Sequence, residues 1–170
     1  MKTSSQDMMN NILSNKIQYR NDAIKICQMM HNHWREKRKQ SDGTYKPKMK
    51  ILIKKEDGTE HWYNQDYLFS LDVLVIQDIA KNDFDHLHYK WKEKKINYTI
   101  DVIKTVKRMY AQDIKDLEDI SSEVHKQWMI NHPKNKTNMN QHVPYESLSE
   151  EEKEKDRELV RIVLEVLGLS

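Results

Sequence analysis

A four-residue signature, His-x-x-Trp, occurs twice in this chain, and each copy ends an apolar stripe with helical spacing. His31 and Trp34 follow Ala23, Ile26 and Met30, while His125 and Trp128 follow Leu117, Ile120 and Val124. Aligned on the tryptophans, Met30 matches Val124 and Ile26 matches Ile120. Downstream, Phe84-Asp85-His86-Leu87 and Tyr145-Glu146-Ser147-Leu148 each stand before a further helical segment. The order helix, His-x-x-Trp, variable loop, aromatic-x-x-Leu, helix thus runs through residues 16–110 and again through 112–168, as expected of two unequal half-repeats. Such halves would pack about a pseudo-two-fold axis, each covering the stripe that the other exposes.

Turn chemistry points the same way. Three Gly and three Pro are too few for a sandwich or barrel with many tight turns, and 37% hydrophobic against 33% charged residues calls for helices with broad charged faces. The expected fold is mainly α, one domain over 15–170 behind a flexible arm at 1–14, with one small β-hairpin inserted in the first half. The spacing predicts a first helix from about Asn15 to Lys39, stopped by Ser41-Asp42-Gly43. A hairpin follows, in which Met49–Lys54 and Glu60–Tyr63 flank Asp57-Gly58. Tyr67–Ile79 reads equally as helix or buried strand. Phe84–Lys95 is expected as a charged helical segment or turn, Asn97–Tyr110 and Gln112–Asn131 as helices, and 134–143 as a polar loop. Ser149 and Glu152 form a capping box for the last helix, with Glu150 and Glu151 at its positive end.

Several function classes lack their residues. Cys27 is the single cysteine, so no internal disulfide framework exists, and its apolar neighbours Ile24 and Ile26 predict a buried, inert thiol. His31/His33 and His86/His88 stand two apart, which splays them on a helix, and no cysteine pair assists, so no metal or other cofactor is expected. Neither a nucleophile elbow nor a glycine-rich phosphate loop is present, and the expectation is a non-enzymatic protein. No apolar run reaches the length of a membrane span and the first ten residues have no apolar signal core, so a cytoplasmic protein without a membrane partner is expected.

Charge is distributed unevenly. Residues 1–110 hold 21 Lys and Arg against 14 Asp and Glu, +7, and residues 111–170 hold 8 against 13, −5, for a net +2. A dense basic stretch, Arg35, Lys37, Arg38, Lys39, Lys46, Lys48 and Lys50, surrounds Tyr45 and precedes Trp62 and Tyr63. Basic groups with interleaved aromatics are what single-stranded nucleic-acid binding uses, which makes that the alternative function. Solvated helix faces are the plainer reading of the same residues.

At the repeated motif the sequence resembles the ryanodine-receptor repeat (RyR) domain, whose members outside the channels are small bacterial and viral proteins. The likeness runs through Val124-His125-Lys126-Gln127-Trp128, Val143-Pro144-Tyr145-Glu146-Ser147-Leu148-Ser149-Glu150-Glu151-Glu152-Lys153 and Asp156-Arg157. It covers roughly residues 118–168, with weaker matches at His31-Asn32-His33-Trp34 and Asp42-Gly43-Thr44-Tyr45-Lys46-Pro47. The second half lacks the family's Gly-Trp-x-Tyr-Gly loop, carrying Asn135-Lys136-Thr137-Asn138-Met139 there, and Gln141-His142 replaces its His-Pro. The resemblance implies a recognition module for an anionic, nucleotide-like small molecule or a protein partner, without catalysis. The candidate ligand-binding residues are Trp34, Arg38, Tyr45, Lys46, Trp128 and Tyr145: tryptophans and tyrosines for a flat ring, cations for an anion. As apolar-stripe residues, the tryptophans have core packing as their plainer role.

Overall fold

A computed structural model describes residues 4–64 and 72–170. Among them, helix α1 spans Ser5–Glu36, α2 Tyr89–Ala111, α3 Leu117–Asn131 and α4 Glu150–Leu167, and the strands are β1 Met49–Lys54, β2 Glu60–Asn64 and β3 Val73–Asp78. The chain is mainly helical with one small antiparallel sheet.

The arm expected at 1–14 is helical from Ser5 onward. The hydroxyl of Ser4 accepts from the Asp7 amide as an N-cap, and no Gly or Pro occurs before Gly43 to stop the helix. Polar composition alone marks this stretch as an arm. Its side chains do stay exposed, and burial begins at Ala23. The charged segment near 84–95 and the helix expected from Asn97 are largely continuous. A 3-10 turn at Phe84–His86 leads into α2, which His88 caps through Lys90. Continuity follows from the stripe Trp91, Lys95, Tyr98, Val102 and Val106, which keeps helical spacing across the charged residues. Residues 112–116 are not helical: Asp113 is left-handed (φ 59°), and Asp116 caps α3 through Asp119. Ser149 caps α4 as read from the sequence, and Gly168 ends it in the left-handed conformation.

The core lies where α1 packs on α2, α2 on α3, α3 on α4 and α4 back on α1. Ala23, Ile26, Val102, Ile103, Val106, Ile120, Val124, Val160 and Val163 are fully buried there. Each of the larger aliphatic side chains contributes about 1.5–3 kcal/mol.

The sheet has the order β2-β1-β3, all antiparallel, with Leu52 opposite Trp62 and Lys50 opposite both Asn64 and Gln77. In the span left open between helix and strand, 73–78 is the third strand, and 67–71 lies outside the described residues. The sheet is fixed to the helices by polar contacts. Arg35 donates to the carbonyls of Ala80 and Lys81, the His88 amide donates to Gln77, and Lys90 pairs with Glu60 at 2.6 Å.

One local arrangement is built twice. His31 Nε2 lies 2.9 Å from the carbonyl of Asn82, and His125 Nε2 lies 2.8 Å from that of Val143. Each carbonyl stands two residues before a buried aromatic, Phe84 or Tyr145, that opens a 3-10 turn ending at a buried Leu87 or Leu148. Each histidine also stacks on the tryptophan three residues later, with ring centroids at 5.6 and 5.7 Å. The residue four beyond each tryptophan covers it again: Arg38 over Trp34, His132 over Trp128.

Candidate functional site

Trp91 stands where the sheet meets the helices. Its ring meets Trp62 edge-on at 5.3 Å, and the ammonium groups of Lys95 and Lys50 lie 4.7 and 5.7 Å from its centre. On one side lies a cavity of about 320 Å³ lined by Cys27, Met30, His31 and Trp34 of α1, Lys48 and Lys50, Ile79, Phe84, Trp91, Lys95, Tyr98 and Thr99 of α2, and Leu159 of α4. On the other side a second cavity, also about 320 Å³, is lined by Lys48, Lys50, His61, Trp62, Asn64, Trp91, Lys94, Lys95, Trp128, His132, the 133–141 loop through Pro133, Asn135, Thr137, Asn138 and Gln141, and Lys155. Lys48, Lys50, Trp91 and Lys95 belong to both, so the two are neighbouring chambers with a common wall. Each is at the lower end of the size range of small-molecule sites.

Among the described residues both linings contain lysines and no carboxylate, although Glu152 accepts from the lining residues Gln141 and Lys155, and between them they hold all four tryptophans of the chain. Among the described residues no Asp or Glu pairs with Lys48, Lys50, Lys94 or Lys95; only Lys155 is neutralised, by Glu152 at 2.7 Å. Burial pushes the Lys50 amine down to about 7, helped by the charges of Lys95, Lys48 and Lys94. Burial likewise pushes Lys95 down to about 8, with Lys94 adding to it, and lowers Lys94. Lys50 donates to the Asn64 side-chain oxygen, a neutral partner that leaves its charge uncompensated. Clustered, partly desolvated cations cost stability in the empty protein, and an anion arriving from solvent removes that cost.

Histidine 132 adds a different group. Burial, reinforced by Lys95, pushes its pKa down to about 3, so the ring is neutral near pH 7. With Nδ1 donating to the carbonyl of Trp128 at 2.9 Å, the buried Nε2 is left as an acceptor with no protein partner. A wider hollow of about 640 Å³ at the β1–β2 turn, lined by Lys54–Gly58 and Asp72–Leu74, has no aromatic wall among the described residues.

Of the six sequence-derived candidates, Trp34 lines the first chamber and Trp128 the second. The other four line neither. Arg38 lies over Trp34 and donates to the carbonyls of Lys46 and Pro47, at 2.8 and 2.6 Å, and so fixes the loop after α1. Tyr45 sits under Arg35 at 4.2 Å with its hydroxyl reaching Glu36, and Lys46 is an exposed residue of that loop. Tyr145 is buried, and its hydroxyl donates to Glu118, whose carboxyl Arg157 and Tyr145 hold down near 2. Cys27 is buried against Thr99 and its thiol is pushed up by burial.

Lys48, Lys50, Trp62, Trp91, Lys94, Lys95 and His132 form the candidate site; the sequence marks Lys48, Lys50 and Trp62 only within the basic stretch of the nucleic-acid alternative and does not single out the other four. One signal was available: Lys95 occupies the apolar stripe of α2, four residues after Trp91 and three before Tyr98, where a cation has no structural reason to be. Among the described residues no helix is long and apolar enough to cross a membrane, and no cluster of three metal-ligating side chains occurs. No family model, curated protein or solved structure matches the chain.

Proposed function

We propose that the protein is a non-enzymatic recognition module that holds an anionic, nucleotide-like small molecule in the paired chambers around Trp91, in the manner of an RyR-like domain. The observation that carries this reading is the lining itself: tryptophans beside lysines of which, among the described residues, only Lys155 has a carboxylate partner. A flat ring gains from an apolar aromatic enclosure, and a phosphate gains charge-assisted hydrogen bonds from amines held out of bulk water. Support for the RyR likeness comes from the twice-built corner, in which histidine, carbonyl, aromatic and leucine recur in one geometry at Trp34 and Trp128. The chambers lie between those two corners, so both half-repeats contribute walls.

The nucleic-acid alternative rests on the basic stretch that begins in the last turn of α1 and continues after it. There Arg35 and Arg38 donate to backbone carbonyls and pack on Tyr45 and Trp34, which removes them from an open binding face. A thermal-shift screen of nucleotides at millimolar concentration tests the proposal, because a ligand held only by the folded state raises the melting temperature. Stabilisation by free nucleotides is expected. No shift with any nucleotide, combined with salt-sensitive binding of labelled oligonucleotides, would replace the proposal by the alternative.

A further inference from the structure

We propose that the ligand is a nucleoside polyphosphate bound without a metal ion, with its ring system in the first chamber and its phosphate chain in the second. This rests on the function proposed above and specifies the ligand class and its orientation. The two chambers share a wall but differ in character. The first is enclosed by Met30, Trp34, Phe84, Trp91 and Tyr98, a set of rings and a thioether that suits a flat heterocycle. The second adds Lys94, Lys155, His61 and His132 to the shared lysines, together with the amides of Asn64, Asn135, Asn138 and Gln141. Those groups are donors or neutral acceptors, suited to a chain of phosphoryl oxygens and to hydroxyl groups.

The number of cations sets the charge of the ligand. Lys48, Lys50 and Lys95 stand at the junction, where the first phosphoryl group would lie; beyond it stand Lys94 and Lys155, the latter exchanging its Glu152 partner for a phosphoryl oxygen. A monophosphate would leave the outer pair unused; a diphosphate or triphosphate engages both. Protein-held magnesium is usually bound through carboxylate oxygens, and among the described residues neither lining has one, so the lysines take over charge neutralisation. The half-buried, depressed amines at the junction support the same reading, since an arriving anion favours their charged form.

The test is a calorimetric titration of the full chain with adenosine, AMP, ADP and ATP, repeated with the guanine, cytosine and uracil series and with inorganic tripolyphosphate. Affinity is expected to rise about tenfold with each added phosphate, and to fall when excess Mg²⁺ competes for the phosphate chain. Lys94→Met combined with Lys155→Met should weaken ATP at least about tenfold and AMP little. Met30→Trp, which fills the first chamber, should abolish nucleotide binding and spare tripolyphosphate; unchanged melting of each variant in the absence of ligand verifies the fold. Equal affinities for AMP and ATP, or tighter binding in Mg²⁺, would overturn this inference while leaving an anion-binding module. Absence of binding by every nucleotide would overturn the proposed function as well.

Discussion

The corners at Trp34 and Trp128 have the same local construction, but the chambers beside them diverge. In both, histidine locks onto a carbonyl two residues before a buried aromatic and stacks on its own tryptophan. Apart from the lysines that the two share, the walls beside Trp34 are mostly apolar, contributed by α1, Phe84 and the buried face of α2. Beside Trp128 they are amides and imidazoles from β2, the end of α3 and the 133–141 loop, with Lys94 of α2 and Lys155 of α4. The two corners share one local scaffold, whereas the sheet and the 133–141 loop supply most of the polar groups found only in the second chamber. That is the usual division between a rigid frame and the segments hung on it.

The comparison breaks most visibly if its shared wall is removed. Trp91 is buried and touches both chambers, so Trp91→Ala should cost about 3–5 kcal/mol in chemical denaturation. A loss below about 1 kcal/mol would mean that the two chambers do not depend on a common partition. Next come the histidines. His125 is 2% exposed and lies 3.5 Å from the Asp156 carboxylate, whereas His31 is half-buried and bonds only a carbonyl. His125→Ala should therefore cost about 2–4 kcal/mol and His31→Ala about 1 kcal/mol, since only the former strands a buried charge. Equal losses would show that the two corners carry the same load.

A third variant should act with the opposite sign. Lys95→Met removes an unpaired, desolvated cation and is expected to stabilise the ligand-free protein by about 1 kcal/mol while weakening anion binding. Destabilisation would mean that Lys95 serves packing rather than a ligand. The same physics sets a pH dependence for the ligand-free state. Lys50 and Lys95 titrate near 7 and 8 when folded, among Lys48, Lys94, His61 and His132, and near 10.5 when unfolded. Between about pH 7 and 10 the unfolded chain binds more protons, so stability rises with pH by an amount of order 1 kcal/mol per pH unit for each lysine. A flat or falling profile in that window would contradict the depressed amines. The smallest effect is expected from Tyr45→Ala with Lys46→Ala, which should shift stability by about 0.5 kcal/mol or less and leave nucleotide affinity unchanged. Lost affinity would return the site to the loop after α1.

How far the sequence can be read depends on whether a feature is local. Stripes such as Ile120, Val124 and Trp128, the Ser149 cap and the repeated His-x-x-Trp are written within single segments, and the elements formed there follow them. The start of α1 is not legible, because a polar helix without breakers resembles an arm in composition. The site is less legible still, because its walls come from all four helices, β1, β2 and a loop, which no spacing rule connects. Trp34 and Trp128 can be named because the motif marks them. Lys50 looks like the solvated member of an alternating strand, yet it shares the Leu52 face that turns toward Trp91. Tyr45 and Lys46 stand out for being aromatic and basic together, but the aromatic neighbour that matters for the buried cations is Trp91, which the sequence places in a charged segment.

The central claim is that Lys50 and Lys95 keep their place in the cavity for an anion rather than for the fold. Isothermal titration of ATP at pH 7.5, in two buffers of different ionisation enthalpy, tests it on the wild type and on Lys50→Met combined with Lys95→Met. The wild type is expected to bind with net proton uptake, since both amines are partly deprotonated before the anion arrives, and the double variant to melt higher and not to bind. Binding by the double variant with wild-type affinity, or wild-type binding without proton uptake, would contradict it.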